Sequence, residues 1–450
     1  MLVLVSDLHL TDASTARNVN AEAFTLMASL IRDTAARRRA QDVHLVLLGD
    51  IFDLVRSDYW LREGIPPDRR PWGGEADPRT AVNTDAAAVE RQFTAVLGGI
   101  LRTESATALG QAMDALAGDG RPLTVTYVVG NHDRVLWNFP SLRQRITSAF
   151  PRIAAFVHSY ESDEYGVLAR HGHEWDEQCH GWHFRDQVLR PGPPVGRFAR
   201  DAYEVMAIGE VITAELMGGL VHHVRAGGAP GWLVEQVKEV NNLRPILDVF
   251  AWLEWLGEDR AAAHQELLYQ ALRLSLDGVL DSRLARQWDR LVRDLLASAD
   301  LVDRLQQARE VLLGGDFRSF KGRVEAVKRI QSVVTRVFGG EEDRLLRGAA
   351  AEEALQPAHA GRGIERVVYG HTHRALHRFF SGERDGRARG YVNTGTYLPL
   401  ITRAADRRSF VSSLQMSLAY FYRRDEDTEG KVPGTTSMDI WTGIRRKVYA

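Results

Sequence analysis

A single cysteine, Cys179, stands in 450 residues, so no internal disulfide can form and a reducing compartment is expected. An excess of charge of either sign is also missing. Against 59 Asp and Glu stand 57 Lys and Arg, a net charge of −2, so no global positive field marks a nucleic-acid binder, although local basic patches stay open. No run of about 20 apolar residues would span a bilayer. The opening Met1-Leu2-Val3-Leu4-Val5-Ser6-Asp7 lacks the basic start and longer apolar stretch of a signal peptide. These absences predict a cytoplasmic protein without a transmembrane segment, with a peripheral membrane role left open. There is no internal repeat, no low-complexity tract and no signal for an oligomeric state.

Hydrophobic residues make up 44% of the chain and charged residues 26%, the balance of a globular protein. The length allows two or three domains at roughly 100–200 residues each. The first part alternates apolar runs with helical patterns. Val3 to Val5, Val43 to Leu48, Leu123 to Val129 and Val167 to Arg170 read as strands. Residues 21–40 read as a helix on Phe24, Met27, Leu30 and Ile31. Residues 84–118 read as two helices, with Thr84 and Ser105 as N-caps. Residues 54–82, rich in proline and glycine, read as a long loop.

From about 197 to 350 the pattern is almost wholly helical: Phe198 to Val224, Trp232 to Leu256, Ala261 to Leu276, Leu284 to Leu296 and Phe320 to Phe338. Strands resume at Ile364 to Tyr369 and Tyr391 to Asn393, and alternation returns from Ser409 onward. The expected fold is therefore α/β, interrupted by a large all-helical insertion. Residues 1–184 and 356–450 would form the catalytic domain, and 185–355 the insertion. Such sheets place ligands at the carboxyl ends of their strands.

Five polar motifs lie where those strands end: Asp7-Leu8-His9, Gly49-Asp50-Ile51-Phe52-Asp53, Gly130-Asn131-His132-Asp133, His171-Gly172-His173 and Gly370-His371-Thr372-His373. Imidazole mixed with carboxylate suits Mn, Fe or Zn better than an all-oxygen Mg or Ca cage. Residues two apart on a strand point the same way, so Asp7 with His9, and His371 with His373, can each reach one site. Any one motif is weak; the five in this order, each after a strand, are hard to obtain by chance.

The set resembles the calcineurin-like metallophosphoesterases over residues 1–180 and 360–400. The resemblance implies a stacked-sheet sandwich flanked by helices and two divalent ions, Mn before Fe or Zn. Asp7, His9 and His373 would hold one ion, and Asn131, His171 and His371 the other, with Asp50 between them. It implies hydrolysis of a phosphomonoester, phosphodiester or diphosphate by a hydroxide shared between the ions. His132 would assist as acid or phosphate-orienting group, with Asp133 fixing its tautomer. Asn393-Thr394-Gly395-Thr396 resembles a turn that often follows the family's last motif.

Several residues admit two readings. His171, which precedes a glycine, is preferred over His173 as a ligand, leaving His173 to contact substrate. Asp53 is expected to orient His9 or a loop. A separate zinc site on His173, Cys179, His180 and His183 fits no common spacing. Arg190, Arg197 and Arg200, close after the fourth motif, could meet a phosphate of the substrate. Arg318, Lys321, Arg323, Lys328, Arg329 and Arg336 read as the solvated face of an amphipathic helix, with contact to an anionic surface or nucleic acid as the alternative. Because the insertion enters between the fourth and fifth motifs, it is expected to stand over the site.

Within the resemblance, UDP-2,3-diacylglucosamine pyrophosphohydrolases usually carry Arg where His132 stands and a much shorter insertion. DNA nucleases of the SbcD type are the runner-up, although nucleic acid is the less favoured substrate for a chain that is not basic overall. A non-catalytic pseudo-phosphatase scaffold is disfavoured because every expected ligand position is filled.

Overall fold

A computed structural model describes residues 1–182, 198–244, 248–257, 261–291, 301–314, 341–355, 361–382, 388–406, 409–427 and 434–447. It is mixed α/β, with two sheets. In the first, β1 (Leu2–Val5), β2 (Val43–Leu48), β3 (Leu123–Val128) and β4 (Ile153–Val157) run parallel in that order. Beyond β1 the sheet turns antiparallel. There β11 (Phe410–Tyr422) pairs with β1 and with β10 (Pro399–Arg403) along one edge, and with β12 (Ser437–Lys447) along the other. The second sheet has the order β5 (Tyr160–Ser162), β6 (Val167–Ala169), β7 (Arg366–Tyr369), β9 (Ala388–Thr394), β8 (Ala375–Gly382), and β6, β7 and β9 are parallel.

The alternation of side chains along a strand builds the layers. Leu2 and Leu4 point one way and pack with Val46, Leu48 and Val128 against Val167, Ala169, Val368 and Val392 of the second sheet. Val3 and Val5 point the other way, with Leu45, Leu47 and Tyr127, into a core shared with helices. There α1 (Ala21–Arg37) presents Phe24, Met27 and Ile31, each stabilising by roughly 1.5–3 kcal/mol when fully buried. The outer face of the second sheet packs Val367, Tyr369 and Tyr391 against Leu345 and Ala349 of the helix Glu341–Ala350.

Residues 86–117 form two helices, α2 (Ala86–Leu101) and α3 (Glu104–Ala117), but their caps are Asp85 and Thr103 rather than Thr84 and Ser105. Asp85 accepts from the Ala88 N–H, whereas the Ser105 hydroxyl is engaged elsewhere, donating to the Val19 carbonyl.

The helical segment is more broken than its sequence period suggests. The stretch expected as one helix from Phe198 is a 3-10 turn at Arg200–Glu204 followed by α-helix Ile208–Val211, a π-helical stretch Ile212–Gly218 and α-helix Gly219–Ala226. Glu215, in the π stretch, accepts from Arg70 and from the Trp72 indole, both at 2.6 Å. The expected helix Trp232 to Leu256 is interrupted too: Gly231–Val237 and the 3-10 turn Lys238–Asn242 end before Pro245, and helix resumes at Val249–Gly257. A residue ahead of proline is sterically pushed out of the helical region. Ala262–Leu280, Arg283–Leu291 and Leu301–Gly314 follow. The basic stretch from Arg318 to Arg336 lies outside the described residues.

This segment has no separate core on its inner side. Val211, Leu216, Leu220, Leu233, Phe250 and Leu272 belong to the same apolar cluster as Val3, Phe24, Leu54 and Trp60. A buried ion pair and a buried hydrogen bond lock it to the loops that carry the motifs. Arg134, directly after Asp133, makes two contacts with Glu210 at 2.7 and 3.1 Å, and Asn241 donates to the Thr15 carbonyl at 3.0 Å. Among the described residues one largely helical stretch, Arg200–Ala226, is long and apolar enough to cross a membrane, but 89% of its apolar window is buried inside the protein, as in a core helix.

Candidate metal centre

The parallel strands β1, β2 and β3 of one sheet and β6 and β7 of the other end at the same place, and the five motifs begin there. The first two are laced by backbone: Asp7 N–H donates to the Gly49 carbonyl at 3.1 Å, His9 N–H to Asp50 at 2.9 Å, and Asp53 N–H to Leu10 at 2.8 Å. Asp7, His9, Asp50, His371 and His373 all have positive φ, between 42° and 71°. They converge from left-handed turns, not from the extended backbone that the two-residue spacing suggested. Such conformations cost roughly 1–3 kcal/mol apiece and persist where surroundings dictate them. Two glycines are dictated by close approach. A side chain at Gly49 would overlap the His171 ring, and one at Gly130 would overlap the Asp50 carboxylate.

Two groups of side chains face one another. His9 Nε2 lies 3.0 Å from His373 Nε2, and Asp7 Oδ1 lies 3.7 and 3.4 Å from those same nitrogens. On the other side His171 Nε2 is 3.2 Å from Asp50 Oδ2, and His371 Nδ1 is 3.1 Å from Asn131 Oδ1. Asp50 Oδ2 is also 3.6 Å from His9 Nε2, so it stands between the groups. Asp7, His9 and His373, and likewise Asp50, His171 and His371, offer donor atoms close enough to hold a metal ion.

The donor chemistry fits a cation. Asp7 Oδ1 and His171 Nε2 are buried and have no hydrogen-bond partner, which is costly unless something positive fills the space between them. The outward nitrogens are set by what the other ring nitrogen does. His9 Nδ1 pairs with Asp53 at 2.8 Å, and His171 Nδ1 donates to the Leu48 carbonyl at 2.9 Å. Both leave Nε2 as the lone pair, the arrangement that orients metal-ligating imidazoles. His371 is held by Asp176, 3.2 Å from its Nε2, which turns Nδ1 toward Asn131.

The proton affinities describe the same field. Burial works against a charged His171, yet Asp50 and Asp7 outweigh it and lift the group to about 10. A place that binds a proton so firmly attracts any cation. Burial, then Arg244 and His9, hold His373 well below the ordinary histidine range, so it stays a neutral lone-pair donor. Burial and the neighbouring Asp50 push Asp133 up to about 7.

Some expected contacts are not made. Asp133 does not touch the His132 ring. Its carboxylate accepts from Gly130 N–H, from Ile51 N–H at 3.0 Å and from the Tyr127 hydroxyl, and so braces the second and third motifs. Asp53 is the carboxylate beside His132, with Oδ2 3.0 Å from Nδ1. His173 is 1% exposed and packs between His171, His180 and Tyr203. Arg200 is exposed, with its charge felt at His158. Arg190, Arg197 and His183 lie outside the described residues. Cys179 joins Asp176 and His371 in a further group of candidate ligand atoms at the edge of the centre.

Three contributors escaped the sequence reading. Asp176 had a local signal, following the fourth motif by three residues. Arg56, three residues after Asp53, lies close enough to His9, His132 and His373 for its charge to disfavour their protonation. Arg244 had no signal at all; its Nη2 lies 2.9 and 3.0 Å from the two ring nitrogens of His373. Compared with protein-family models and with curated proteins, the chain matches none.

The Asp176 contact gives a direct expectation. Asp176→Asn should weaken metal retention at the centre by about 10- to 100-fold, the usual effect of losing a carboxylate behind a ligating imidazole. Titration of the metal-free protein with Mn, read by calorimetry, measures it; an unchanged affinity would show that His371 needs no such support.

Proposed function

We propose that the protein is a dinuclear metal-dependent phosphoesterase that hydrolyses a phosphomonoester, phosphodiester or diphosphate bond, and that its two facing sheets are the sandwich of the calcineurin-like metallophosphoesterases. The observation that carries the reading is Asp50 Oδ2, held between His9 Nε2 and His171 Nε2 at 3.6 and 3.2 Å, one nitrogen from each ligand group. Asp7, His9 and His373 would hold one ion, and Asn131, His171 and His371 the other, with Asp50 shared. A pair of divalent ions, Mn before Fe or Zn, would neutralise phosphate charge and supply a nucleophilic water at neutral pH.

The chain's own residues do the rest. Asp53, Asp176 and the Leu48 carbonyl fix which imidazole nitrogen faces the centre. His132 has the most exposed side chain among the motif histidines, 12% against 7% for His371 and less for the others, and so faces the entrance. There it can hydrogen-bond a phosphate oxygen or give a proton to the leaving oxygen. The helical segment, bound to the motif loops through Arg134–Glu210 and reaching His373 through Arg244, would wall the cleft and limit its water. A cytoplasmic setting accords with the lone cysteine.

The test is a screen of the purified protein, with Mn, against p-nitrophenyl phosphate, bis-p-nitrophenyl phosphate, nucleoside diphosphate sugars and single-stranded DNA. Turnover should require about two ions per chain and stop with chelator. Turnover that survives chelation would sink the reading. A fully loaded protein inert toward every substrate would favour a binding scaffold instead.

A further inference from the structure

We propose that the two ends of the helical segment form a clamp on one ion site only: Tyr203 and Glu352, acting through Arg170 and Tyr369, position His171 and His371, so that retention of the ion they hold depends on docking of the segment. The inference rests on the dinuclear reading and adds positioning residues to it.

The clamp follows from where the segment enters and leaves the chain. Arg170 directly precedes His171, Glu174 and Trp175 follow His173, and Tyr369 stands two residues before His371. Tyr203 lies in the first described turn of the segment, Arg200–Glu204, and Glu352 follows its last α-helix, Glu341–Ala350. All six side chains are buried, the most open being Trp175 at 8%.

Their polar atoms close on one another. Arg170 Nη1 donates to the Tyr203 hydroxyl at 3.1 Å, and Tyr203 donates to Glu174 Oε1 at 3.0 Å. The other Glu174 oxygen accepts from Gly172 N–H at 2.9 Å, inside the fourth motif. Arg170 Nε lies 3.2 Å from Glu352 Oε1. That same oxygen accepts from the Tyr369 hydroxyl at 2.5 Å, and Tyr369 accepts from the Trp175 indole at 2.8 Å. One end of the segment therefore braces the turn that carries His171. The other joins that turn to the strand end that carries His371, where Gly370 N–H already donates to the His171 carbonyl at 2.9 Å.

The packing is equally close. A Cβ at Gly172, whose φ is +107°, would come within 3.0 Å of Tyr369 and 3.3 Å of Leu345, and one at Gly348 would overlap the Trp175 ring. The helix Glu341–Ala350 thus lies directly against the fourth motif.

Buried polar groups of this kind act as a unit, because removing one leaves its partners unpaired. Groups behind a metal-ligating side chain set its affinity. Here both ends of the segment reach ligands of the same ion. Asp7 and His9, in the other group, are braced instead by backbone bonds to Gly49 and Asp50 and by Asp53.

The experiment titrates the metal-free protein with Mn. Calorimetry reads the two affinities, and electron paramagnetic resonance distinguishes a coupled pair of ions from a lone one. The variants are Tyr203→Phe, Glu352→Ala and Glu352→Gln. Glu215→Gln serves as control, since it weakens a buried contact of the same segment with Arg70 and Trp72 instead. Tyr203→Phe and Glu352→Ala should each keep one ion at wild-type affinity and bind the other about 10- to 100-fold more weakly, the coupled signal giving way to that of a lone ion. Glu352→Gln keeps an oxygen for Tyr369 and should recover part of the loss. The control should bind both ions as the wild type does. Two ions at wild-type affinity in Tyr203→Phe and Glu352→Ala would overturn the clamp alone. Equal weakening of both ions, or the same loss in Glu215→Gln, would also overturn it, reducing the network to general stability. Should Glu352→Ala fail to fold, Tyr203→Phe and Glu352→Gln decide the matter. A wild type that never takes a second ion would remove the dinuclear reading together with the clamp.

Discussion

Asp50→Asn is expected to lower metal-dependent turnover by roughly 10³-fold or more, and to abolish the binding of at least one ion. The variant removes the one negative charge that both ligand groups share. Burial raises the cost of an ionised Asp50, and the imidazoles of His171, His132 and His9 more than offset it, holding the carboxyl well below its usual range. With an amide in its place, Asp7 is the one carboxylate left among the two ligand groups. The fold should survive. Asn keeps an oxygen for the His132 N–H, which donates to Asp50 Oδ1 at 2.8 Å, and it relieves Asp133, whose proton affinity Asp50 raises. Thermal unfolding with and without Mn, together with metal analysis, measures the outcome. The wild type should gain stability with Mn by mass action, on the order of 2.7 kcal/mol at a hundredfold excess over Kd, and the variant should gain far less. Wild-type turnover in Asp50→Asn would end the dinuclear account.

His132→Ala should cost about 10²–10⁴-fold in rate while both ions stay bound. The separation of the two effects follows from which atoms of His132 are used. Its backbone N–H holds Asp50, and its backbone carbonyl accepts from Leu54 N–H at 3.2 Å, so alanine preserves the turn. Its ring stands 4.0 Å from Asp50 Oδ2 and 3.0 Å from Asp53 Oδ2, with its exposed edge toward the entrance. Metal content by mass spectrometry alongside kcat decides it. A lost ion in this variant would place His132 among the ligands, a geometry that the approach of His9, Asp50 and His132 also permits.

Much of the centre was legible in the chain because it is built from short segments. Each motif follows an apolar run, and parallel strands carry whatever follows them to the same edge of a sheet. The reading of Asp53 as support for His9 succeeded for the same reason, since the two motifs are neighbours on adjacent strands β1 and β2. Asp133 shows where the local argument fails. It adjoins His132 in sequence, but the turn points its carboxylate back at Tyr127 and Ile51, and Asp53 from another strand takes the place beside the ring. The cap of α3 failed for a related reason: a tertiary contact draws the Ser105 hydroxyl to the Val19 carbonyl, and Thr103 accepts from the Ala106 N–H instead.

By itself the sequence determined the strand-end motifs, the residue types able to hold a cation, the alternating start and the helical segment that follows. All of these depend on periodicity and on neighbours within a few residues. The tertiary structure decided the left-handed turns at Asp7, His9, Asp50, His371 and His373, the support of His371 by Asp176, and the breaks inside the helical segment. It also brought Arg244 within 3.0 Å of His373, a residue 129 positions away. That contact leaves no trace in composition or spacing. It arises because burial of the helical segment in the common core and the Leu243–Ile401 bridge together fix where Arg244 meets His373.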